Sequence, residues 1–367
     1  MPSDTASSAV ERRFERIDRL VTIDFPRRGV IGLLYEAARE ELGRPLCLHA
    51  AEMLKNGLSA GRVVLIATGW LDRPHVSLSI AETDGPPGAA VLARALHVGL
   101  GAIPVVLVEE EILGPMTSVM HAAGLRCVAP DEALMAAGGS GALHPASVIA
   151  LPKERREAER LAVNLLDRLD VGAFVAIEKG GENRRGRIRT SRGADTTDAL
   201  GKADAVLEAC RARGVPTLGI GDGGNEIGMG LIHERLAGRL RNSIGSDGTS
   251  DDGVVPVNRT DALVAATVSN WGAYGVAAAL AMLLDRPGVL HTVETEQRIL
   301  EACAAAGFID GVTGYVGPSA DGLSLDVHLN LVRLLRTFVN DGVNTAAWRN
   351  YPDRLEKLAA ERGKDAR

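Results

Sequence analysis

The chain has 367 residues, 46% of them hydrophobic, with 41 basic and 47 acidic side chains and a formal net charge of −6. An acidic balance argues against a nucleic-acid-binding surface, and the longest apolar run, residues 275–284, is too short to cross a bilayer. The four cysteines are far apart and are interpreted as small buried hydrophobic residues in a reducing compartment. We therefore expect a cytoplasmic protein without a nucleic-acid or membrane partner, built as one large α/β domain or two smaller ones.

The first 60 residues predict helices ahead of the sheet. Residues 1–25 are interpreted as an N-terminal arm with a charged helix, and further helices are expected at 30–42 and 46–56. The basic pair Arg27 and Arg28 is interpreted as solvated rather than as part of an anion site.

The continuous aliphatic segment 62–67 predicts a buried strand of a parallel sheet. Thr68 and Gly69 follow it, and a long polar loop then carries Glu82 and Asp84. Long loops inside compact α/β domains tend to be functional, so this acidic pair is a candidate for a site. The alternative is a simple acidic start to the next helix.

Strands and helices alternate over the next 40 residues. A helix at 89–100, a strand at 103–108, a helix at 115–123 and a strand at 125–129 complete a β-α-β-α-β series. Right-handed crossovers then give a doubly wound, mostly parallel sheet with helices on both faces. The three glutamates at 109–111 are interpreted as a solvated face.

The domain boundaries follow from changes in composition. We interpret residues 26–340 as the α/β domain and residues 341–367 as a charged tail helix. A glycine-rich connection at 136–141 leaves open a division into two lobes that meet near 140–155.

A strand predicted at 173–177 ends at Glu178 and Lys179. Beyond it, residues 184–192 include five arginines. No aromatic residues are interleaved with them for base stacking, which disfavours an RNA-binding arm. A clamp for an anionic substrate, a mobile lid and a plain solvated loop remain open.

A glycine-dense segment at 219–230 follows a strand predicted at 215–218 and carries Asp222, Asn225 and Glu226. Glycine lets a backbone approach a ligand closely. The segment contains G-x-G-x-x-G, but its carboxylates would crowd a pyrophosphate, and no acidic residue ends a second strand about 20 positions later. We expect no nucleotide cofactor and favour an acid-lined polar or metal site over a tight turn alone.

Polar groups also follow a strand predicted at 262–268, so one cleft at the carboxyl ends of the strands is expected to collect several of them. Clustered carboxylates need either a divalent ion, Mg²⁺ or Mn²⁺, or a bound proton with a raised pKa. The candidate metal ligands are Glu82, Asp84, Asp222 and Glu226. The candidate substrate-binding residues are Thr68, Gly69, Asp84, Gly223, Gly224, Asn225, Ser269 and Asn270.

Three segments carry a family resemblance: ETDGPPG at 82–88, GDGGNEIGMG at 221–230 and SNWG at 269–272. Together they resemble the D-glutamate cyclase C-terminal domain family, from about residue 20 to residue 339. The resemblance implies a lyase that cyclises D-glutamate to 5-oxo-D-proline with loss of water. Its small-molecule substrate would be an acidic amino acid.

The candidate catalytic residues are Asp222, Glu226, Glu178 and Lys179. Cyclisation needs a base for the ammonium proton, for which Asp222 or Glu226 is suited, and a group that stabilises the oxyanion. Lys179, an asparagine or a bound cation is suited to the second role. Two other functions stay open: a metal-dependent phosphohydrolase of a small metabolite, and a sensor that binds its ligand without turnover. Formation of a homo-oligomer is also left open.

Overall fold

A computed structural model describes residues 3–139 and 143–340 of the chain. The predicted tail helix at 341–367 therefore lies outside the described residues. The strands of the described part, in chain order, are β1 (Val63–Thr68), β2 (Ile103–Val108), β3 (Arg126–Cys127), β4 (Pro145–Ala150), β5 (Val171–Ile177), β6 (Thr217–Gly221) and β7 (Ala262–Ala265). All pair in parallel in one sheet of order β3-β4-β2-β1-β5-β6-β7.

Helices cover both faces of this sheet, which confirms the predicted doubly wound α/β fold. They are α1 (Ser3–Val21), α2 (Ile31–Leu42), α3 (Leu46–Gly57), α4 (Pro86–Leu100), α5 (Leu113–Ala122), α6 (Pro130–Gly138), α7 (Arg155–Arg168), α8 (Ala203–Ala212), α9 (His233–Leu236), α10 (Ser269–Leu283), α11 (Val293–Ala305) and α12 (Leu325–Val339). Among the described helices, none combines the length and the apolar character that crossing a membrane requires.

Successive strand residues enter two different cores. In β1, Val64 and Ile66 pack into the larger core with α1–α5 and α10–α12, whereas Val63 and Leu65 pack into the smaller core with α6–α8. All six residues of β1 are buried, because side chains alternate between faces and helices cover both. This double burial explains the continuous aliphatic runs in the sequence.

The chain reverses its direction of travel across the sheet between the neighbouring strands β1 and β5. From β1 it continues through α4 to β2 on one side, and from β5 it continues through α8 to β6 on the other. Connections that diverge in this way open a crevice at the carboxyl ends of the two strands. This crevice lies at the paired strand ends Thr68 and Ile177.

The structure corrects three strand predictions. Strand β4 was not predicted, because it leaves Val148 and Ile149 only partly buried and so has a weak aliphatic signal. The strand predicted at 215–218 continues to Gly221, inside the glycine-dense segment. The strand predicted at 262–268 ends at Ala265, because α10 already begins at Ser269.

Candidate active site

A cleft of about 530 Å³ opens at the carboxyl ends of β1, β5 and β6. Its acidic lining residues are Asp72, Glu82, Glu178, Asp195, Asp222 and Asp321, and its arginines are Arg28, Arg73 and Arg192. A wider and more open recess of about 810 Å³ adjoins it at Pro74 and His75. We place the site in the cleft, because the buried carboxyl groups line the cleft and not the recess.

The glycine-dense turn is closed by one of its own side chains. Glu226 accepts hydrogen bonds from the backbone N–H groups of Asp222 (3.0 Å), Gly223 (2.6 Å) and Gly224 (2.9 Å). A Cβ atom on Gly221 would lie 2.6 Å from a Glu226 carboxyl oxygen, so only glycine fits there. The carboxyl group of Glu226 and the N–H groups of Gly223 and Gly224 are therefore already paired with one another inside the turn. Asp222 is left facing the cleft.

Asp84 and Asn270 join the N-termini of two helices. Asp84 accepts from the N–H groups of Ser269 and Asn270, both at 2.9 Å, at the start of α10. Asn270 in turn accepts from the N–H groups of Gly85 (3.0 Å) and Gly88 (2.7 Å) at the start of α4. Both side chains satisfy helix donors that would otherwise be unpaired, so they tie the starts of α4 and α10 together beside Asp222 and Asp321.

Glu178 lies at the topological switch point, directly after β5, and is 7% exposed. Its φ of 45° is uncommon for a residue with a side chain, and such strain is concentrated at functional sites. Ser269 Oγ donates a 2.5 Å hydrogen bond to Glu178 Oε2. The side chain lines the cleft with Asp222.

Arg28 is the cation of the carboxyl cluster. Its side chain is 33% exposed and so partly solvated, but it is ion-paired, which the interpretation of Arg27 and Arg28 as a solvated pair did not foresee. Its guanidinium contacts Asp222 Oδ2 at 2.5 Å and Asp321 Oδ2 at 3.2 Å, and it donates to the carbonyl of Thr267. Asp222 and Asp321 raise the pKa of Arg28 against the opposing effect of burial. The sequence analysis did not find Asp321, since nothing near it in the chain marks it.

Burial shifts the protonation of the carboxyl cluster. It raises the pKa of Asp84 to about 7 and that of Glu226 to about 8, with repulsion from Asp222 as the next cause. Burial followed by neighbouring carboxylates also raises the pKa values of three further groups well above their usual range: Glu82, Glu178 and Asp321. Part of the cluster therefore holds protons at neutral pH. Of the two ways to relieve repulsion among clustered carboxylates, a divalent ion or a bound proton, this is the second.

Two carboxylate groups have the spacing of a metal site. Asp84, Asp222 and Asp321 form one, and Glu178, Asp222 and Glu226 form the other, with oxygen atoms within 4.8 Å of one another in each. Their all-oxygen donor sets fit a hard divalent ion. In the first group the Arg28 guanidinium already contacts two of the three carboxylates, so the second is the better candidate. Glu82, a predicted ligand, belongs to neither group.

Lys179 is fully buried and points away from the cleft. Its Nζ lies 2.5 Å from Glu109 Oε1 and donates to the carbonyl of Gly69 at 3.0 Å. Glu109 is also fully buried, so its interpretation as part of a solvated face is wrong. Thr68 is buried, and its hydroxyl, which has no hydrogen-bond partner among the described residues, lies beside Gly85 and Glu178. The structure thus separates Lys179 and Gly69 from the carboxyl cluster.

The arginine-rich segment runs along one side of the cleft. Four of its arginines form ion pairs, and these join Arg184 to Asp251, Arg185 to Asp247, Arg187 to Asp195 and Arg189 to Asp252. Asn225 donates to the carbonyl of Arg189 at 3.0 Å. The segment is therefore tied both to the loop at 247–252 and to the glycine-dense turn, and its residues 190–192 lie at the cleft.

We expect the melting temperature of the ligand-free protein to fall between about pH 5 and about pH 9. The pKa values of Asp84 and Glu226 rise on folding from 3.8 and 4.5 to about 7 and about 8. A raised carboxyl pKa gives a stability that is complete below the unfolded value and is lost as pH rises through the folded value. Calorimetry across this range measures the fall.

Asp222→Asn provides the control for this pH dependence, since Asp222 contributes to the raised pKa of both groups. The variant should show a shallower fall. Asp204, away from the cleft, keeps its own raised pKa of about 7, so some dependence persists. A melting temperature that stays level or rises with pH in the wild type would contradict the expectation.

The fold and the cleft together define a doubly wound α/β protein with a carboxyl-rich cleft at its topological switch point. Residues 17–336 match the family described as D-glutamate cyclase-like, C-terminal, and the chain belongs to this family. The mitochondrial D-glutamate cyclase of Homo sapiens is 25% identical over 355 aligned residues, which cover 90% of this chain and 52% of that protein. The chain thus spans about half the length of this curated relative. The family resemblance found in the sequence is confirmed.

Proposed function

We propose that the protein is a hydro-lyase that converts D-glutamate to 5-oxo-D-proline and water. The observation that carries the proposal is a cleft in which buried, proton-holding carboxyl groups lie beside the Arg28 guanidinium. Such a cleft suits a substrate with both an ammonium and a carboxylate group. Family membership and the curated relative's name support the same reaction.

The reaction needs proton transfer but no external oxidant or reductant. The α-nitrogen attacks the γ-carboxyl carbon, the new C–N bond closes a five-membered ring, and one γ-carboxyl oxygen leaves as water. Two protons leave the nitrogen and two arrive at the departing oxygen, so the carboxyl groups end the cycle with the protons they began with. Holding the amine against the γ-carboxyl supplies a large part of the rate through orientation.

The contacts suggest a division of roles. Asp222, which faces the cleft, takes the ammonium proton, and Glu178 gives its proton to the leaving oxygen because burial raises its pKa well above the usual range. Arg28 stabilises the oxyanion that develops when the nitrogen attacks the γ-carboxyl carbon. Glu226 holds the turn that positions Asp222. Lys179 has no part in this scheme, since its ammonium group is buried against Glu109.

A divalent ion is an alternative to this scheme. Mg²⁺ or Mn²⁺ held by Glu178, Asp222 and Glu226 would polarise the γ-carboxyl as a Lewis acid. The three carboxyl groups would then be deprotonated ligands, so Glu178 would not act as the acid and Asp222 would not act as the base.

The direct test is to incubate the purified protein with D-glutamate or L-glutamate and to follow 5-oxoproline by chiral chromatography. Parallel reactions contain chelator, Mg²⁺ or Mn²⁺. We expect product from D-glutamate, and no product from either enantiomer under any of these conditions would refute the function. D-glutamate that binds and is recovered unchanged would indicate the sensor instead. A phosphohydrolase is less well supported, because four of the five arginines in the segment 184–192 are already paired with aspartates.

A further inference from the structure

Arg192 differs from the other arginines of its segment. The other four are each neutralised by an aspartate, whereas Arg192 has no ion pair or hydrogen bond among the described residues. It is exposed and lines the cleft that contains Glu178 and Asp222. Of the other two lining arginines, Arg28 contacts Asp222 and Asp321, and Arg73 is paired with Asp72. Arg192 thus supplies the unpaired guanidinium of the described cleft.

The backbone around Arg192 is held in place. Asn225 donates to the carbonyl of Arg189, and Asn242 donates to the carbonyl of Ser191 at 3.0 Å. The Arg189 side chain is fixed by Asp252 at 2.7 Å. These contacts hold residues 189–191 against the glycine-dense turn, so Arg192 is presented at the cleft from an anchored segment. A free guanidinium in such a position is suited to bidentate recognition of a carboxylate.

We propose that Arg192 binds the α-carboxylate of the substrate and thereby selects an amino acid whose α-carboxylate is free. This inference rests on the proposed function. The γ-carboxyl loses its charge when the ring closes, so a strong fixed ion pair with it would stabilise the substrate more than the transition state. The α-carboxylate keeps its charge from substrate to product. An arginine at the exposed side of the cleft therefore binds it without opposing the reaction, while the amine and γ-carboxyl reach the buried carboxyl groups.

The test compares wild type with Arg192→Ala and Arg192→Lys in calorimetric binding of D-glutamate and D-isoglutamine, whose α-carboxylate is replaced by an amide. Loss of a charged hydrogen-bonded contact should weaken D-glutamate binding to Arg192→Ala by about 10- to 100-fold. D-isoglutamine should bind wild type and Arg192→Ala about equally. Arg192→Lys, which keeps the charge but loses the planar fork, should be intermediate. In turnover, KM should rise in Arg192→Ala while kcat stays within about threefold.

Arg184→Ala is the matched control. It removes the same charge from the same segment, but Arg184 is paired with Asp251 and does not line the cleft. It should bind D-glutamate as wild type does.

Each of three results would overturn the assignment. The first is that Arg192→Ala binds D-glutamate as tightly as wild type does, and the second is that this variant still prefers D-glutamate to D-isoglutamine. The third is that it loses instead the preference for D-glutamate over D-glutamine, whose γ-carboxyl is an amide. The binding comparison is independent of turnover. If wild type binds D-glutamate but forms no 5-oxoproline, the proposed function fails and the comparison still decides the role of Arg192. If wild type binds neither ligand, both proposals fail.

Discussion

Asp222→Asn is expected to lower the turnover of D-glutamate by about 10³-fold or more while the protein stays folded. The asparagine keeps the shape of the side chain but cannot accept the ammonium proton. The melting temperature should equal or exceed that of wild type, because Asp222 contributes to the raised pKa of five other carboxyl groups. Arg28 retains its contact with Asp321 at 3.2 Å.

Turnover and thermal melting, measured on the same preparations, check this expectation. Asp251→Asn is the control, because it makes the same change in an ion pair with Arg184 outside the cleft. It should keep wild-type turnover. If Asp222→Asn melts lower than wild type and yet retains full turnover, Asp222 is an architectural residue and the proposed base is wrong.

Glu178→Gln is expected to lower kcat by about 10²- to 10⁴-fold with a much smaller change in KM. The amide oxygen can still accept the hydrogen bond from Ser269 Oγ, so the position of the side chain is preserved. What is lost is the proton that our scheme assigns to Glu178, whose pKa is raised by burial. The high-pH limb of the pH profile of kcat should also change in Glu178→Gln. Loss of a purely structural residue would not change that limb.

Glu226→Gln serves as the contrasting variant. Glu226 accepts three backbone hydrogen bonds with its two oxygens, and an amide nitrogen cannot accept any. We expect this variant to lose roughly 1 to 3 kcal/mol of stability, measured by urea unfolding. If Glu178→Gln and Glu226→Gln lose the same amount of stability and have the same turnover as each other, Glu178 also acts only through structure.

Local patterns in the sequence were sufficient to locate the cleft. Aliphatic runs marked the strands, and the polar residues that follow them, Glu178, Asp222 and Ser269, converge as expected for carboxyl ends in a parallel sheet. Naming both Glu178 and Lys179 as candidate catalytic residues was less informative. Glu178 follows β5 with a φ of 45° and lines the cleft, whereas the Lys179 side chain is buried against Glu109. This departure from strand geometry has no signal in the local sequence pattern.

Local sequence patterns could not identify Arg28 as the cation of the carboxyl cluster. Arg28 lies 194 residues from Asp222 and 293 residues from Asp321 along the chain. No periodicity or motif links such positions, and an arginine next to another arginine is most often solvated. The burial of Glu109 was hidden for a related reason, because its partner Lys179 lies 70 residues away.

The span from Arg28 to Asp321 also bears on how the protein is made. During synthesis Arg28 leaves the ribosome 293 residues ahead of Asp321, one of the two carboxylates that it contacts. Contacts between such distant positions form late, because a long loop must close first. The carboxyl cluster is therefore completed among the last events of folding. A nascent chain that stops before residue 321 carries Asp222 but lacks Asp321, the second carboxylate that contacts Arg28.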